Sequence, residues 1–292
     1  MKIAVFGYTG WYGSMAEWIA DGFEANGHTV DRIDRKEIVL SPESYDFILF
    51  ADCSEDYSDR IPKCPDCLKV FWSMDAHMPE GAERSTNIAR KCDLVFSSNY
   101  EHGVKILEKF GIESFLMPIT WNDTILDHSK YRDLRDVDVA MIGNPNSGKR
   151  RELWNLLHDN FKCISGRIET SKDYRSAMLN SKFVVNQPTE PWDNILNNRF
   201  FEAFGSKSLL FQKELKTDLI EKLGFKDGIH FLYWKDFDDL MDKIPKYFID
   251  GRLTDQARAM INFSNKKVQR YSMSAQCAKM EAIILDKFYD RL

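Results

Sequence analysis

The chain has no run of about 18 apolar residues, the length a helix needs to cross a bilayer, so no membrane span is expected. Nor does it open on a secretory core. Met1-Lys2-Ile3-Ala4-Val5-Phe6-Gly7 is a short apolar run that breaks at glycine, which suits a buried strand and points to a cytoplasmic protein. No short-period repeat and no low-complexity tract interrupts the 292 residues. Cysteine is sparse, with six residues at 53, 64, 67, 92, 163 and 277, mostly inside apolar stretches where a reducing compartment keeps them as thiols. The pair in Cys64-Pro65-Asp66-Cys67 lacks the second pair that would complete four zinc ligands, although His77 and Cys53 are not far off. It also precedes a strand, whereas a redox motif follows one. A strong excess of one charge is missing too: the net charge of −5 supplies no global field for nucleic acid or anionic membrane, so local basic clusters must carry any such binding.

Material for a core is plentiful, with 43% apolar residues, 20 Phe, 11 Tyr and 7 Trp. The length suits two domains at roughly 150 residues each. Strand signals alternate with amphipathic helical stretches in both halves, the pattern of βαβ units on parallel sheets. The first half offers strands at Lys2 to Phe6, Thr29 to Ile33, Phe47 to Ala51, Lys69 to Trp72, Leu94 to Ser97 and Ser114 to Leu116. Helices fill Ser14 to Asn26, Arg84 to Lys91 and Tyr100 to Phe110, with Gly27 and Gly111 as stops. Pro118 to Asp136 is polar, Asp-rich and aperiodic, a connection between domains. Strands resume at Val137 to Ile142, Lys162 to Ser165, Phe183 to Asn186, Ser208 to Phe211 and His230 to Tyr233, with helices between them. From Asp236 the chain reads as almost wholly helical. The fold class is therefore α/β, with two Rossmann-like domains facing across a cleft.

Four segments carry candidate chemistry. Gly7-Tyr8-Thr9-Gly10-Trp11-Tyr12-Gly13-Ser14 follows the first strand and opens a helix, where glycines let a ligand approach helix-start amides that favour anions. Its G-x-x-G-x-x-G spacing differs from the dinucleotide fingerprint, although Asp34 closes the second strand where such sites read a ribose hydroxyl. Gly143-Asn144-Pro145-Asn146-Ser147-Gly148-Lys149-Arg150 nearly matches the P-loop G-x-x-x-x-G-K-[ST], but Arg150 replaces the hydroxyl that holds magnesium. A glycine turn at a helix start beside Lys149, Arg150 and Arg151 still suits a pyrophosphate without a metal; the plainer reading is a set of solvated first-turn cations. Trp72 to Pro79 follows the fourth strand, and side chains at the carboxyl end of a parallel strand face the ligand crevice, which makes Asp75 and His77 candidates for acid-base or orienting work. Lastly, Arg199 and Glu202 lie three apart on one face of a short helix, where a carboxylate can accept both hydroxyls of a ribose or form a local ion pair.

The last segment, Asn194-Ile195-Leu196-Asn197-Asn198-Arg199-Phe200-Phe201-Glu202-Ala203-Phe204-Gly205 onward through Gly224-Phe225-Lys226-Asp227-Gly228 to Asp236-Phe237-Asp238-Asp239-Leu240, resembles the carboxyl-terminal domain of GT-B glycosyltransferases. It is most similar to the spore-maturation-type, group 1-like members, whose pattern runs N-x-R-x-F-E-A-x-x-x-G, then strand, glycine loop, strand and acidic helix. Asp138 to Asn144, Lys149-Arg150-Arg151-Glu152-Leu153 and Ser165-Gly166-Arg167 extend the likeness, and the amino-terminal half fits more loosely. The resemblance implies an acceptor-side domain at 1–125 and a nucleotide-sugar domain at 126–292, with the last helix returning to the amino-terminal domain. It implies that Glu202 binds the donor ribose and that Lys149, Arg150 and Arg199 neutralise the diphosphate leaving group. Gly10, Trp11, Gly143, Asn144, Arg167 and Asn198 would complete the donor site, with Asp75 or His77 facing acceptor or sugar. Where retaining members carry an acidic residue eight positions before the second Glu, Asn194 stands here beside Asp193, so stereochemistry stays open. The expected activity is metal-independent transfer from a UDP- or GDP-sugar, with no cofactor. The acceptor is a DNA base, a glycan, a protein or a small molecule. A P-loop-like nucleotide switch and a non-catalytic nucleotide-sugar-binding module are the alternatives.

Overall fold

The computed structural model describes residues 1–9, 14–37, 41–51, 55–74, 76, 80–126, 135–144, 148–166, 168, 170–188 and 195–289. They form two compact units: Met1–Thr124 together with Met273–Leu292, and Ile125–Ser272. The first unit runs β1 (Lys2–Gly7), α1 (Met15–Ala25), β2 (Thr29–Asp34), β3 (Phe47–Phe50), β4 (Leu68–Ser73), α2 (Gly81–Ala89) and β5 (Leu94–Ser97). A π turn over Tyr100–Val104 then leads into α3 (Lys105–Lys109) and β6 (Phe115–Leu116). Every strand pairing is parallel, in the order β2-β1-β3-β4-β5-β6. Ile3, Ala4, Val5 and Phe6 in β1, and all of β3, have no exposed surface, as expected of parallel strands covered on both faces. Arg32 on the edge strand β2 binds Glu17 (3.0 Å), Asp21 (2.8 Å) and Glu24 (2.5 Å), all on α1, which fixes that helix over the sheet edge.

The second unit runs β7 (Val137–Ile142), α4 (Gly148–Asn160), β8 (Cys163–Gly166), α5 (Ser171–Asn180), β9 (Ser181–Asn186), α6 (Asn198–Gly205), β10 (Leu209–Lys213), α7 (Leu219–Lys222) and β11 (Leu232–Trp234). Its sheet is again wholly parallel, ordered β11-β10-β9-β7-β8. Val139, Met141, Phe183, Val185, Leu209 and Phe211 pack one face against Leu153 and Leu157 of α4. From Phe237 the chain departs from an all-helical course. After α8 (Phe237–Tyr247) comes a hairpin of β12 (Phe248–Ile249) and β13 (Arg252–Leu253), then α9 (Asp255–Val268). The cause is Asp250-Gly251, whose φ values of +47° and +74° make the two-residue turn that matches strand twist.

The chain ends in α10 (Met273–Phe288), which lies in the first unit against α1, in line with the expected return of the last helix. Asn26 donates to the Ser274 carbonyl at 2.9 Å, His28 meets Glu281 at 3.0 Å, and the Cys277 thiol donates to the Ile19 carbonyl at 3.6 Å. The helices approach so closely at Gly22 that a Cβ there would stand 2.8 Å from Cys277 Sγ and 2.9 Å from Met273 Cγ. Gly22→Val is therefore expected to destabilise the protein by about 1–3 kcal/mol. Urea denaturation would report this as a lower midpoint at unchanged slope, and an unmoved midpoint would show that α1 and α10 do not pack this way.

Candidate active site

Both sheets place the first strand of the unit between its second and third strands. In such a sheet the crossovers leave in opposite directions from the first and third strands, and the crevice at their carboxyl ends binds ligands. In the second unit this is the edge where β7 ends at Ile142 and β9 ends at Asn186.

Two cations converge there. Arg150, on the first turn of α4, donates from Nη2 to the Ile142 carbonyl at 3.5 Å, and Arg199, on the first turn of α6, donates from Nε to the same carbonyl at 3.4 Å. The glycine of the turn makes this possible. Gly143 has φ +145°, which side-chain-bearing residues rarely adopt, and a Cβ on it would stand 2.3 Å from Arg150 Nη2. Arg150 is 7% exposed; burial first, and then the charge of Arg199, hold its guanidinium below its ordinary pKa. Arg199 Nη1 also pairs with Glu202 Oε2 one turn along α6. Asn198 Nδ2 donates to Glu202 Oε1 at 3.0 Å. Arg199 Nη1 also donates to the Tyr174 hydroxyl at 2.9 Å, with its guanidinium 5.1 Å from the ring centroid. Glu202 has no exposed surface, whereas Arg199 keeps 21% of its side chain open, so a ligand arriving here meets the guanidinium first.

The structure thus brings together Gly143, Arg150, Asn198, Arg199 and Glu202. Asn144 and Lys149 are exposed beside them, Lys149 on the first turn of α4. Gly10, Trp11, Asp75, His77 and Arg167 lie outside the described residues, as do Asp193 and Asn194. Tyr174 was not foreseen, and neither was a buried amide group at the end of β9. Asn186 Nδ2 donates to Asn197 Oδ1 (2.9 Å) and to Gln212 Oε1 (2.7 Å), and Asn197 Nδ2 returns a bond to Asn186 Oδ1 (3.2 Å). Next to it Gln187 is buried, with no partner for Oε1 among the described residues. A buried carbonyl without a donor costs free energy, so a ligand hydroxyl or amide at this point gains a ready acceptor. The signal was the apolar run Phe183-Val184-Val185 ending in two amides, Asn186 and Gln187.

In the first unit, Asp34 is already engaged: its carboxylate accepts from Thr9 N (3.3 Å), Thr9 Oγ1 (3.1 Å) and Lys36 N (3.0 Å), and the Lys36 amide is the main cause of its lowered pKa. Ser98 donates to the Met74 carbonyl at 2.9 Å and so pins the segment that leads to residue 75. Cys64 and Cys67 precede β4 at its opposite, amino end, where Cys64 lines an open cavity of about 490 Å³ and Cys67 is buried. Their carbonyls accept from Lys69 Nζ (2.8 and 2.9 Å), and burial pushes the Cys67 thiol up to about 11. Burial thus disfavours the thiolate form of Cys67.

Two α/β units, each on a wholly parallel sheet, match the fold of the GT-B class of glycosyltransferase. Within that class the chain belongs to the glycosyl transferase-like family, whose model matches residues 125–280, more than half of it. It is a glycosyltransferase by that membership. Among solved structures, an alpha-glucosyltransferase in complex with UDP-glucose and DNA containing an abasic site has a TM-score of 0.71 at 11% identity, covering 98% of this chain and 99% of that one. Anabaena HepE in complex with UDP gives 0.66 at 12% identity, over 98% and 100% of the two chains. A glycosyltransferase from Rickettsia africae gives 0.66 at 13% identity, over 98% of each. None of the curated proteins matches the chain. No helix among the described residues is long and apolar enough to cross a membrane.

Replacing Gly143 tests the turn. Gly143→Ala is expected to cost about 1–3 kcal/mol through backbone strain and displacement of Arg150. A melting temperature equal to that of the wild type would mean that Arg150 does not lie under the turn.

Proposed function

We propose that the carboxyl edge of β7 and β9 binds the nucleoside diphosphate of a UDP-sugar, with Arg150 and Arg199 on the diphosphate and Glu202 on the ribose. The observation that carries this reading is the pair of guanidiniums on one carbonyl, with Glu202 paired to Arg199 beside them. Like charges held together in a partly buried place attract an anion, and planar guanidiniums fit phosphate oxygens two at a time. The solved structures of similar fold that hold UDP or UDP-glucose support the choice of nucleotide.

The chemistry follows from the charge. Breaking the bond between sugar and diphosphate sends an electron pair onto the β-phosphate oxygen, and guanidiniums already in place stabilise that growing charge without reorganising. Arg199 exchanges one anion for another as the donor enters: it turns from Glu202 to the diphosphate. The freed carboxylate of Glu202, still held by Asn198, then accepts the ribose hydroxyls. Gln187 Oε1 accepts from a donor hydroxyl or amide. Asp75 or His77 serves the acceptor hydroxyl, in a sugar transfer that needs no metal.

Thermal-shift titration with UDP, 2′-deoxy-UDP and uridine separates the parts, because a ligand selective for the folded state raises the melting temperature. Glu202→Gln keeps the shape and is expected to weaken UDP by roughly 5–100-fold, while removing the preference for UDP over 2′-deoxy-UDP. Arg199→Ala is expected to bring UDP close to uridine. If Glu202→Gln and the wild type both discriminate the deoxy nucleotide equally, Glu202 is not on the ribose. For the acceptor, transfer to duplex DNA that falls steeply with salt identifies a nucleic acid, and salt-independent transfer to a neutral glycan identifies a sugar hydroxyl.

A further inference from the structure

At the amino-terminal edge of the second unit's sheet, the outer stripe of α9 meets the loop that leads into β11. Phe263, Lys266, Lys267 and Arg270 recur at i, i+3, i+4 and i+7, so they share one face of the helix and its continuation. The loop is tied along that face: Ser264 donates to the His230 carbonyl, and Arg270 Nη2 and the Tyr271 hydroxyl donate to the Leu223 carbonyl at 3.2 and 2.9 Å. This adds Lys226 to the group. The cations crowd over Gly224, where one point lies 2.8 Å from Lys267 Nζ and 3.6 Å from Arg270 Nη2, and Lys267 Nζ stands 5.2 Å from the Phe225 ring centroid.

None of Lys226, Lys266, Lys267 and Arg270 has an ion-pair partner among the described residues, whereas nearby Lys222 and Arg258 pair with Asp218 (3.0 Å) and Asp255 (2.6 Å). The Lys267 ammonium is held below its ordinary pKa by burial first, then by Arg270 and Lys226. Such mutual repulsion is relieved by an anion. Two apolar side chains border the cations, Ile229 at 46% and Phe263 at 61% exposure, each the chain neighbour of one member of the His230–Ser264 pair.

We infer that this face is a docking surface for an anionic lipid membrane. Unpaired cations attract the negative headgroups, and exposed apolar side chains enter the boundary between headgroups and acyl chains. The aliphatic Ile229 decides between lipid and nucleic acid, for it has no π face on which a base could stack. The net charge of −5 repels an anionic surface elsewhere, so the patch also orients the protein. The strands are parallel and this loop precedes β11, whereas Gly143 follows the end of β7. The docking face and the nucleotide site therefore occupy opposite edges of one sheet, and membrane contact leaves the donor edge open.

Cosedimentation of the full chain with vesicles tests the inference. Binding is expected to vesicles of phosphatidylglycerol and phosphatidylcholine in equal parts, and not to phosphatidylcholine alone. Lys266→Glu with Lys267→Glu should weaken it by more than about tenfold, given about fivefold for each cation near an anionic surface. Ile229→Ser with Phe263→Ser, a separate variant, should weaken it several-fold. Both double variants should keep the wild-type melting temperature and UDP shift, because they lie outside the nucleotide site. Absence of binding to the anionic vesicles overturns the inference, as does equal binding to both compositions. Loss with the charge variant but not with the apolar variant also overturns it, and assigns the patch to a soluble polyanion.

Discussion

The carbonyl of Ile142 is the point on which the proposed nucleotide edge depends. It closes an interior strand of a buried parallel sheet, so its position is set by the pairing of β7 with β8 and β9 rather than by any loop. Two guanidiniums from different helices both bond to it, at 3.4 and 3.5 Å. One acceptor thus registers the start of α4 against the start of α6, and Gly143 leaves the room in which Arg150 lies. Glu202 offsets part of the charge gathered there through its ion pair with Arg199.

Polar groups buried beneath that edge give it stiffness. Asn186, Asn197 and Gln212 satisfy one another inside the second unit, and such a network holds one geometry better than apolar packing does, because each alternative breaks a bond in a low-dielectric place. Tyr174 holds Arg199 from the side through its hydroxyl and its ring. The first unit builds its own carboxyl edge differently, with serine hydroxyls bonded to backbone, such as Ser98 on the Met74 carbonyl. In the second unit amides and an aromatic ring fix side chains; in the first, short hydroxyls fix the backbone.

Legibility in the sequence followed the strength of local signals. β7 and β5 were readable to the residue because buried parallel strands are short apolar runs bounded by polar residues. Gly27 and Gly111 stop their helices with φ of +86° and +75°, as glycine past a helix end does. The hairpin at Asp250-Gly251 was legible in principle, since Asp-Gly is a strong two-residue turn signal, but flanking strands of two residues each are too short to show alternation. Where the family pattern has its closing glycine this chain has Lys207, which still adopts the left-handed φ of +55°, so tertiary packing after α6 overrides residue preference. Tyr174 was beyond reach: it lies 25 residues from Arg199, and nothing local marks that contact. In contrast, Arg199 and Glu202 share a helix, and spacing alone placed them on one face.

The boundary of the matched family and the boundary of the packed units disagree, and the disagreement is informative. The family match runs to residue 280, eight residues into α10, yet α10 belongs to the first unit. A sequence signature follows the chain, while a core follows contact. Part of the apolar face of α10, with Met273, Cys277 and Met280 buried, is therefore written into the same stretch of sequence that builds the carboxyl edge of β7 and β9, although the surface that buries it comes from α1. A fragment cut at 125–280 would carry half of that helix with its apolar side uncovered, a typical cause of aggregation. The family-matched stretch is thus not a detachable module, because its last element belongs to the core of the first unit.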